Sequence, residues 1–135
     1  MSESLQDLKQ LRDRLRLFVA ERDWQQFHTP KNLASALSVE AAELLEPFQW
    51  LRTGELDELN EMTRTAIRHE LADVLNYLVM LADRLDVDLL DAASEKILLN
   101  AKKYPIEHSR ANSKKYTILG LQVAQTSPAM KKEQE

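Results

Sequence analysis

The sequence contains no cysteine, which excludes disulfides, thiolate metal sites and a cysteine nucleophile. Glycine occurs twice, at Gly54 and Gly120. That scarcity disfavours a sheet-rich fold with many tight turns. It also leaves no glycine-rich phosphate loop and no glycine-bearing Nudix signature. No apolar run approaches the roughly 20 residues that span a bilayer, and the start MSESLQDLKQLRDRL has no apolar signal-peptide core. No membrane partner is expected, and the composition agrees with a reducing cytoplasm. Basic charge is not in excess either. The net charge of -4 argues against a general nucleic-acid binder. The three histidines, His28, His69 and His108, are too scattered for a zinc motif, and no serine–histidine nucleophile arrangement stands out.

What is present suits one domain: 135 residues, 44% hydrophobic and 30% charged, enough for a single core. Two segments carry the chemistry, Glu40-x-x-Glu43 within SVEAAELLEPFQW and Glu70-x-x-Asp73 within RHELADVLNYLVML. Residues three apart on a helix lie about 60° apart around its axis, so each pair shares a face. Carboxylates on an apolar face are costly to desolvate unless a cation neutralises them. No Lys or Arg occurs between residues 32 and 51 to serve the first pair. Four carboxylates on two helices therefore point to a divalent metal site. Their hard oxygens suit Mg²⁺, with Mn²⁺ as a substitute. Each spacing alone is weak, since any acidic amphipathic helix produces it. The competing reading is a buried polar network or a set of inter-subunit salt bridges. With Mg²⁺ in an all-carboxylate site the usual task is phosphate chemistry: the metal acidifies a bound water and a surplus carboxylate takes its proton. Glu40 and Glu43 are the candidate bases.

The helical pattern predicts four helices. Leu5, Leu8, Leu11, Leu15 and Phe18 recur at three- and four-residue spacing over 3–21, with Ser2 or Ser4 as the cap. RDWQQFHTPKN then breaks the pattern at Pro30. Trp24, Phe27 and His28 crowd this connection, either as a plug that caps the bundle or as a stacking surface for a flat ligand such as a nucleobase. The second helix is expected over 33–51. Pro47 cannot donate to the carbonyl of Glu43, so a kink or distortion is expected through Phe48-Gln49-Trp50. Counted round the helix, Trp50 falls near the Glu40/Glu43 face. RTGELDELNEM, with a possible helical turn over 55–61, joins this helix to an antiparallel neighbour over 63–85. From Leu71 to Leu85 that third helix is apolar nearly all the way round, which predicts a subunit interface. Glu70, Asp73 and Tyr77 form one stripe on it, so Asp73 and Tyr77 are expected to look into one cavity. The fourth helix is expected over 88–103, with Lys96, Asn100 and Lys103 on one face and Tyr104-Pro105 ending it. Beyond it the chain is polar without periodicity, and 119–135 reads as a mobile tail.

Charge is segregated. Seven acids against Arg52 alone lie between Glu40 and Glu61, and six bases against Glu107 alone lie between Lys96 and Lys115. Solvated helix faces explain this, and so does an acidic metal-holding face paired with a basic segment that meets a polyanion. A metal-bound phosphate chain fits both halves of the second reading.

The arrangement Glu40-x-x-Glu43 … Glu70-x-x-Asp73 resembles the signature of the all-α nucleoside triphosphate pyrophosphohydrolases, the MazG-like superfamily. The segments Arg22 to His28, Asn32-Leu33, Phe48-Gln49-Trp50, Glu70 to Leu75, Lys103-Tyr104-Pro105 and Lys115-Tyr116 closely resemble its dCTP pyrophosphatase branch. The likeness runs over about residues 5 to 118, and places the domain at 1–118. It implies an all-α four-helix bundle that assembles as a homotetramer, a dimer of dimers, with subunit interfaces in its core and sites where subunits meet. The implied activity is hydrolysis of a deoxynucleoside triphosphate, dCTP or modified dCTP, to the monophosphate and pyrophosphate, a sanitation of the nucleotide pool. Carried over by position, Glu40, Glu43, Glu70 and Asp73 bind Mg²⁺. Trp24, Gln25, Gln26, Phe27, His28, Trp50 and Tyr77 surround the nucleoside. Lys96, Asn100, Lys103 and Tyr104 stand on the phosphate side. Two positions depart from the family pattern: Leu15 replaces a histidine and Pro47 an ordinary helix former. Both bear on base preference more than on the reaction. The alternatives are a relative acting on dUTP or other non-standard triphosphates, and a catalytically silent nucleotide-binding module.

Overall fold

The computed structural model describes residues 4–115, 117 and 118. The expected tail at 119–135, Tyr116, and Ser2 as a cap lie outside the described residues. Every regular element among the described residues is helical. The chain divides into a unit of residues 1–89 and a unit of residues 90–135.

The first unit holds α1 (Leu8–Glu21), α2 (Pro30–Leu45) and α3 (Glu61–Arg84), with short 3₁₀ turns at Glu46–Phe48 and Leu56–Glu58. All three helices carry the caps that their flanking residues allow. Asp7, not Ser4, caps α1, its side chain accepting from the Gln10 N–H at 2.7 Å. A carboxylate is the better cap because it also meets the positive end of the helix dipole. Thr29 caps α2, and Pro30 stands in its first turn, where a missing N–H costs nothing. Thus α2 starts three residues before the expected position: Pro30 begins this helix as well as separating it from α1. Asn60 caps α3 by accepting from the Thr63 N–H at 2.8 Å.

The helix ends follow from the shortage of glycine. Asp23 (φ 52°) and Asp86 (φ 54°) adopt the left-handed conformation that glycine usually supplies. The closing bonds are present: Trp24 N–H donates to the Val19 carbonyl at 3.1 Å, and Val87 N–H to that of Ala82 at 2.9 Å. Pro47 ends the α-helical part of α2 instead of kinking a longer helix. The Glu43 carbonyl, which Pro47 cannot serve, accepts from the Glu46 N–H as the chain tightens into its 3₁₀ turn.

The α2–α3 connection is braced by its own residues. Glu58 accepts from the N–H groups of Arg52 and Thr53 at 2.8 and 3.1 Å and from the Thr53 hydroxyl at 2.8 Å. These bonds, the Thr53 hydroxyl foremost, hold its pKa below the usual carboxylate range. Gly54 turns the chain at φ 75°, and a Cβ there would lie 2.8 Å from Phe48 Cδ1, so no other residue fits without displacement.

Packing joins α2 to α3 most extensively and α1 to α3. Across α1 and α3, Arg16 Nε donates to Asp83 Oδ2 at 2.8 Å and Nη2 to Oδ1 at 2.5 Å. Among the described residues the buried apolar side chains are Val19, Leu33, Val79 and Ala82. Large apolar side chains stay exposed on α3, including Leu71 (53%), Leu75 (40%) and Leu78 (37%). A chain of this size ordinarily buries far more. The second unit contains α4 from Leu90 onward (helix Leu89–Lys103) and the short α5 (Ile106–Ser109), in a stretch where no periodicity predicted a helix.

Candidate active site

The acidic pairs meet where α2 and α3 pack. Glu40 and Glu43 from α2 and Glu70 from α3 each offer a carboxylate oxygen, and these oxygens lie within 4.8 Å of one another. Glu40 and Glu70 are half-buried, and Glu43 is exposed. Like charges held this close resist ionisation together. The Glu40 carboxyl is pushed up to about 7, first by partial burial, then by its hydrogen bond to Glu43 and by the charges of Glu43, Asp73 and Glu70. Asp73, exposed and one turn beyond Glu70, thus acts on Glu40 through its charge, although its oxygens are outside the close trio. The ion pairs among the described residues involve none of these four acids. One Glu70 oxygen, Oε2, is buried without a hydrogen-bond partner among the described residues.

A buried orphan acceptor on a side chain that meets two further carboxylates suits a hard divalent cation. The donor set is all oxygen, which suits a hard divalent cation. These residues therefore fit a divalent metal.

A second feature lies in the same unit. A cavity of about 360 Å³ is walled by Leu15 and Val19 of α1, Leu33 of α2, and Val79 and Met80 of α3, with Gln25 and His28 at its edge. Leu33 precedes Glu40 by seven residues and Met80 follows Asp73 by seven. Seven residues make two turns, so each pair shares a helix face about 10 Å apart along the axis. Glu40 meets Glu70 while Leu33 and Val79 share the cavity, so the helices run antiparallel and both offsets point the same way.

The aromatic connection is folded onto the end of α1. Trp24 stands edge-on to Phe18 at 5.9 Å between centroids, and its ring is 6.1 Å from that of His28. Gln26 braces the turn, donating through Nε2 to Asp23. Phe27 is exposed, and its carbonyl accepts from Asn32 Nδ2 at 2.9 Å. Of the five predicted nucleoside contacts in this stretch, Gln25 and His28 line the cavity, and Trp24, Gln26 and Phe27 do not. Tyr77 is half-buried on α3. Trp50 is 89% exposed, because α2 stops at Leu45 and the helical count from Glu43 no longer applies. Lys96 and Asn100 are exposed on α4, in the second unit. Asn100 accepts the Tyr104 N–H at 2.9 Å, and Lys103 ends the same helix.

The charged cavity residues Arg12, Arg16, Asp83 and Arg84 all escaped the sequence reading, and of these Arg16 and Asp83 pair across 67 positions. Each looks like an ordinary polar position on an amphipathic helix, and no local pattern links them.

A MazG-like family model matches residues 35–119, which contain both acidic pairs. The chain belongs to the MazG-like family. It is 45% identical to dCTP pyrophosphatase 1 of Homo sapiens over 118 residues, covering 86% of this chain and 68% of the relative. The corresponding protein of Bos taurus is 43% identical over the same coverage. A pyrophosphatase crystal structure from Archaeoglobus fulgidus, 40% identical, superposes with a TM-score of 0.68 over 78% of this chain and 98% of that one. The all-α class read from the sequence is thus that of a MazG-like protein. No described helix is long and apolar enough to cross a membrane.

Proposed function

We propose that this MazG-like protein is a Mg²⁺-dependent pyrophosphohydrolase of deoxynucleoside triphosphates, with dCTP and modified dCTP as its substrates. The observation that carries the reading is the trio Glu40, Glu43 and Glu70 with its orphaned buried Glu70 oxygen. The dCTP pyrophosphatase 1 relatives supply the substrate class.

Glu40, Glu43, Glu70 and Asp73 would hold the metal, which when bound neutralises triphosphate oxygens and acidifies water. Glu40, with its affinity for a proton near neutrality, and Glu43 beside it serve as the base for the attacking water. The water oxygen bonds to the α-phosphorus, the bond from that phosphorus to the bridging oxygen breaks, and pyrophosphate leaves. Trp24, Gln25, Gln26, Phe27, His28, Trp50 and Tyr77 surround the nucleoside, and Lys96, Asn100, Lys103 and Tyr104 attend the phosphates. With dCTP and Mg²⁺, product analysis is expected to give monophosphate and pyrophosphate in equal amounts, and nothing in excess chelator. Release of orthophosphate alone, or no product, would overturn the reading in favour of a silent binding module.

The exposed Leu71, Leu75 and Leu78 support assembly into a homotetramer that covers this face. Light scattering in solution should return four chains, and a monomeric mass would remove this part of the proposal.

A further inference from the structure

The cavity of about 360 Å³ is polarised along its length. On α1, Arg12 and Arg16 stand two turns and one turn before Val19, and all three line the wall. On α3, Asp83 and Arg84 stand one turn beyond Val79 and Met80. Arg16 grips both oxygens of Asp83, so the charged stretches of the two helices share one end of the cavity. Along α3 that end lies beyond Met80, on the side away from Glu70 and Asp73. The rest of the wall is apolar or uncharged, with Val19, Leu33, Val79, Gln25 and His28.

We infer that this cavity binds an amphipathic organic anion, an apolar or aromatic body bearing one carboxylate, and that the bound anion excludes the base of the substrate. The exclusion rests on the triphosphate reading above; the binding does not.

Three guanidinium groups against one carboxylate, with His28 neutral, leave the wall two positive charges in excess. Asp83 does not oppose an incoming anion, because Arg16 already matches its charge and holds both its oxygens. Arg12 spends Nε and Nη2 on one oxygen of its neighbour Asp13, an exposed residue outside this wall, and keeps Nη1 for a ligand. Its side chain is only 31% exposed, so water and salt screen its charge less than at an open surface. Arg84 is exposed and brings a further guanidinium to the same end. Guanidinium groups hold carboxylates through charge-assisted, often paired hydrogen bonds. The volume falls in the range of small-molecule pockets. Val19, Leu33 and Val79 are buried, so an apolar body gains by leaving water among them. An inorganic anion would use the arginines but leave those walls unfilled. A triphosphate held at the carboxylates keeps its charge at the opposite end. Gln25 and His28 belong both to this wall and to the proposed surroundings of the nucleoside, so an occupied cavity has no place for the base.

Calorimetric titration of the full chain with 2-naphthoate, an apolar carboxylate, in excess chelator tests the site. The acid is expected to bind at least about tenfold more tightly than the neutral 2-naphthamide. Arg12→Ala and Arg84→Ala should each weaken naphthoate by at least about tenfold and leave the amide unchanged. If circular dichroism shows that Arg12→Ala has lost its helices, Arg84→Ala carries the same expectation. Glu43→Gln, which alters the acidic cluster and not this wall, should bind naphthoate as wild type does. In assays with dCTP and Mg²⁺, naphthoate should raise KM and leave kcat unchanged. No binding, equal affinity for acid and amide, or binding indifferent to both arginine variants would overturn the site. Calorimetric binding with an unchanged KM would overturn the exclusion alone. A wild type that binds naphthoate but cleaves no triphosphate would overturn the triphosphate reading, and the exclusion with it, while leaving the anion site standing.

Discussion

Glu43→Gln should lower kcat with dCTP about a thousandfold while leaving the helical circular dichroism spectrum unchanged. Glu43 is exposed. Its oxygens lie within 4.8 Å of those of Glu40 and Glu70, and it is hydrogen-bonded to Glu40. An amide in its place keeps the shape but removes one of three converging charges and one hard ligand. Metal binding and the activation of water should both suffer. Asp73→Asn should cause the same kind of loss through the field at the site. In chelator the two variants are expected to melt above wild type at pH 8, since each relieves repulsion that is uncompensated without metal. Loss of activity through misfolding would lower the melting temperature instead, so the two explanations separate. Wild-type-like turnover in both variants would sink the metal assignment.

Without metal, the wild-type protein should lose thermal stability as pH rises from 5 to 8, and a divalent cation should restore it. The sign follows from Glu40. Its folded pKa is about 7 against an ordinary value of 4.5, so the folded chain binds the extra proton between these values. Stability from this group is complete below about pH 4.5 and is lost as pH rises through about 7. Two other carboxylates act oppositely. Asp83, held low by Arg16, and Glu58, held low by the Thr53 hydroxyl and the neighbouring N–H groups, lose their contributions only as pH falls below their ordinary values of 3.8 and 4.5. A scan from pH 5 to 8 therefore leaves them ionised throughout. The difference between wild type and Glu40→Gln over this range isolates the Glu40 share from histidine titration. Metal affinity should climb over the same window, because the cation must displace the Glu40 proton. A melting temperature that is equally flat in wild type and Glu40→Gln, with and without Mg²⁺, would show that the acids do not form one electrostatic unit.

The helices were legible because their causes are local. Leucine spacing marks α1, the caps at Thr29 and Asn60 stand next to the helices they start, and Tyr104-Pro105 closes α4. Errors also had local causes. Asp7 outcompetes Ser4 as a cap, and Pro47 ends α2 within two residues of Leu45, which removes Trp50 from the helical count. The near-continuous apolar surface of α3 was legible as well, and its exposed leucines are the counterpart in the folded chain.

By itself the sequence determined that Glu40 and Glu43 share one face and Glu70 and Asp73 another, because a helix repeats every 3.6 residues regardless of its neighbours. It also determined the oxygen-only ligand chemistry, since no cysteine exists and the histidines are scattered. Only the tertiary structure decided that Glu70 joins the α2 pair within 4.8 Å while Asp73 acts from beside it, because the rotation of α3 against α2 is set by packing. The same packing folds Arg16 onto Asp83 across 67 residues and opens the cavity two turns from the acids. Such contacts arise between faces that no local spacing connects.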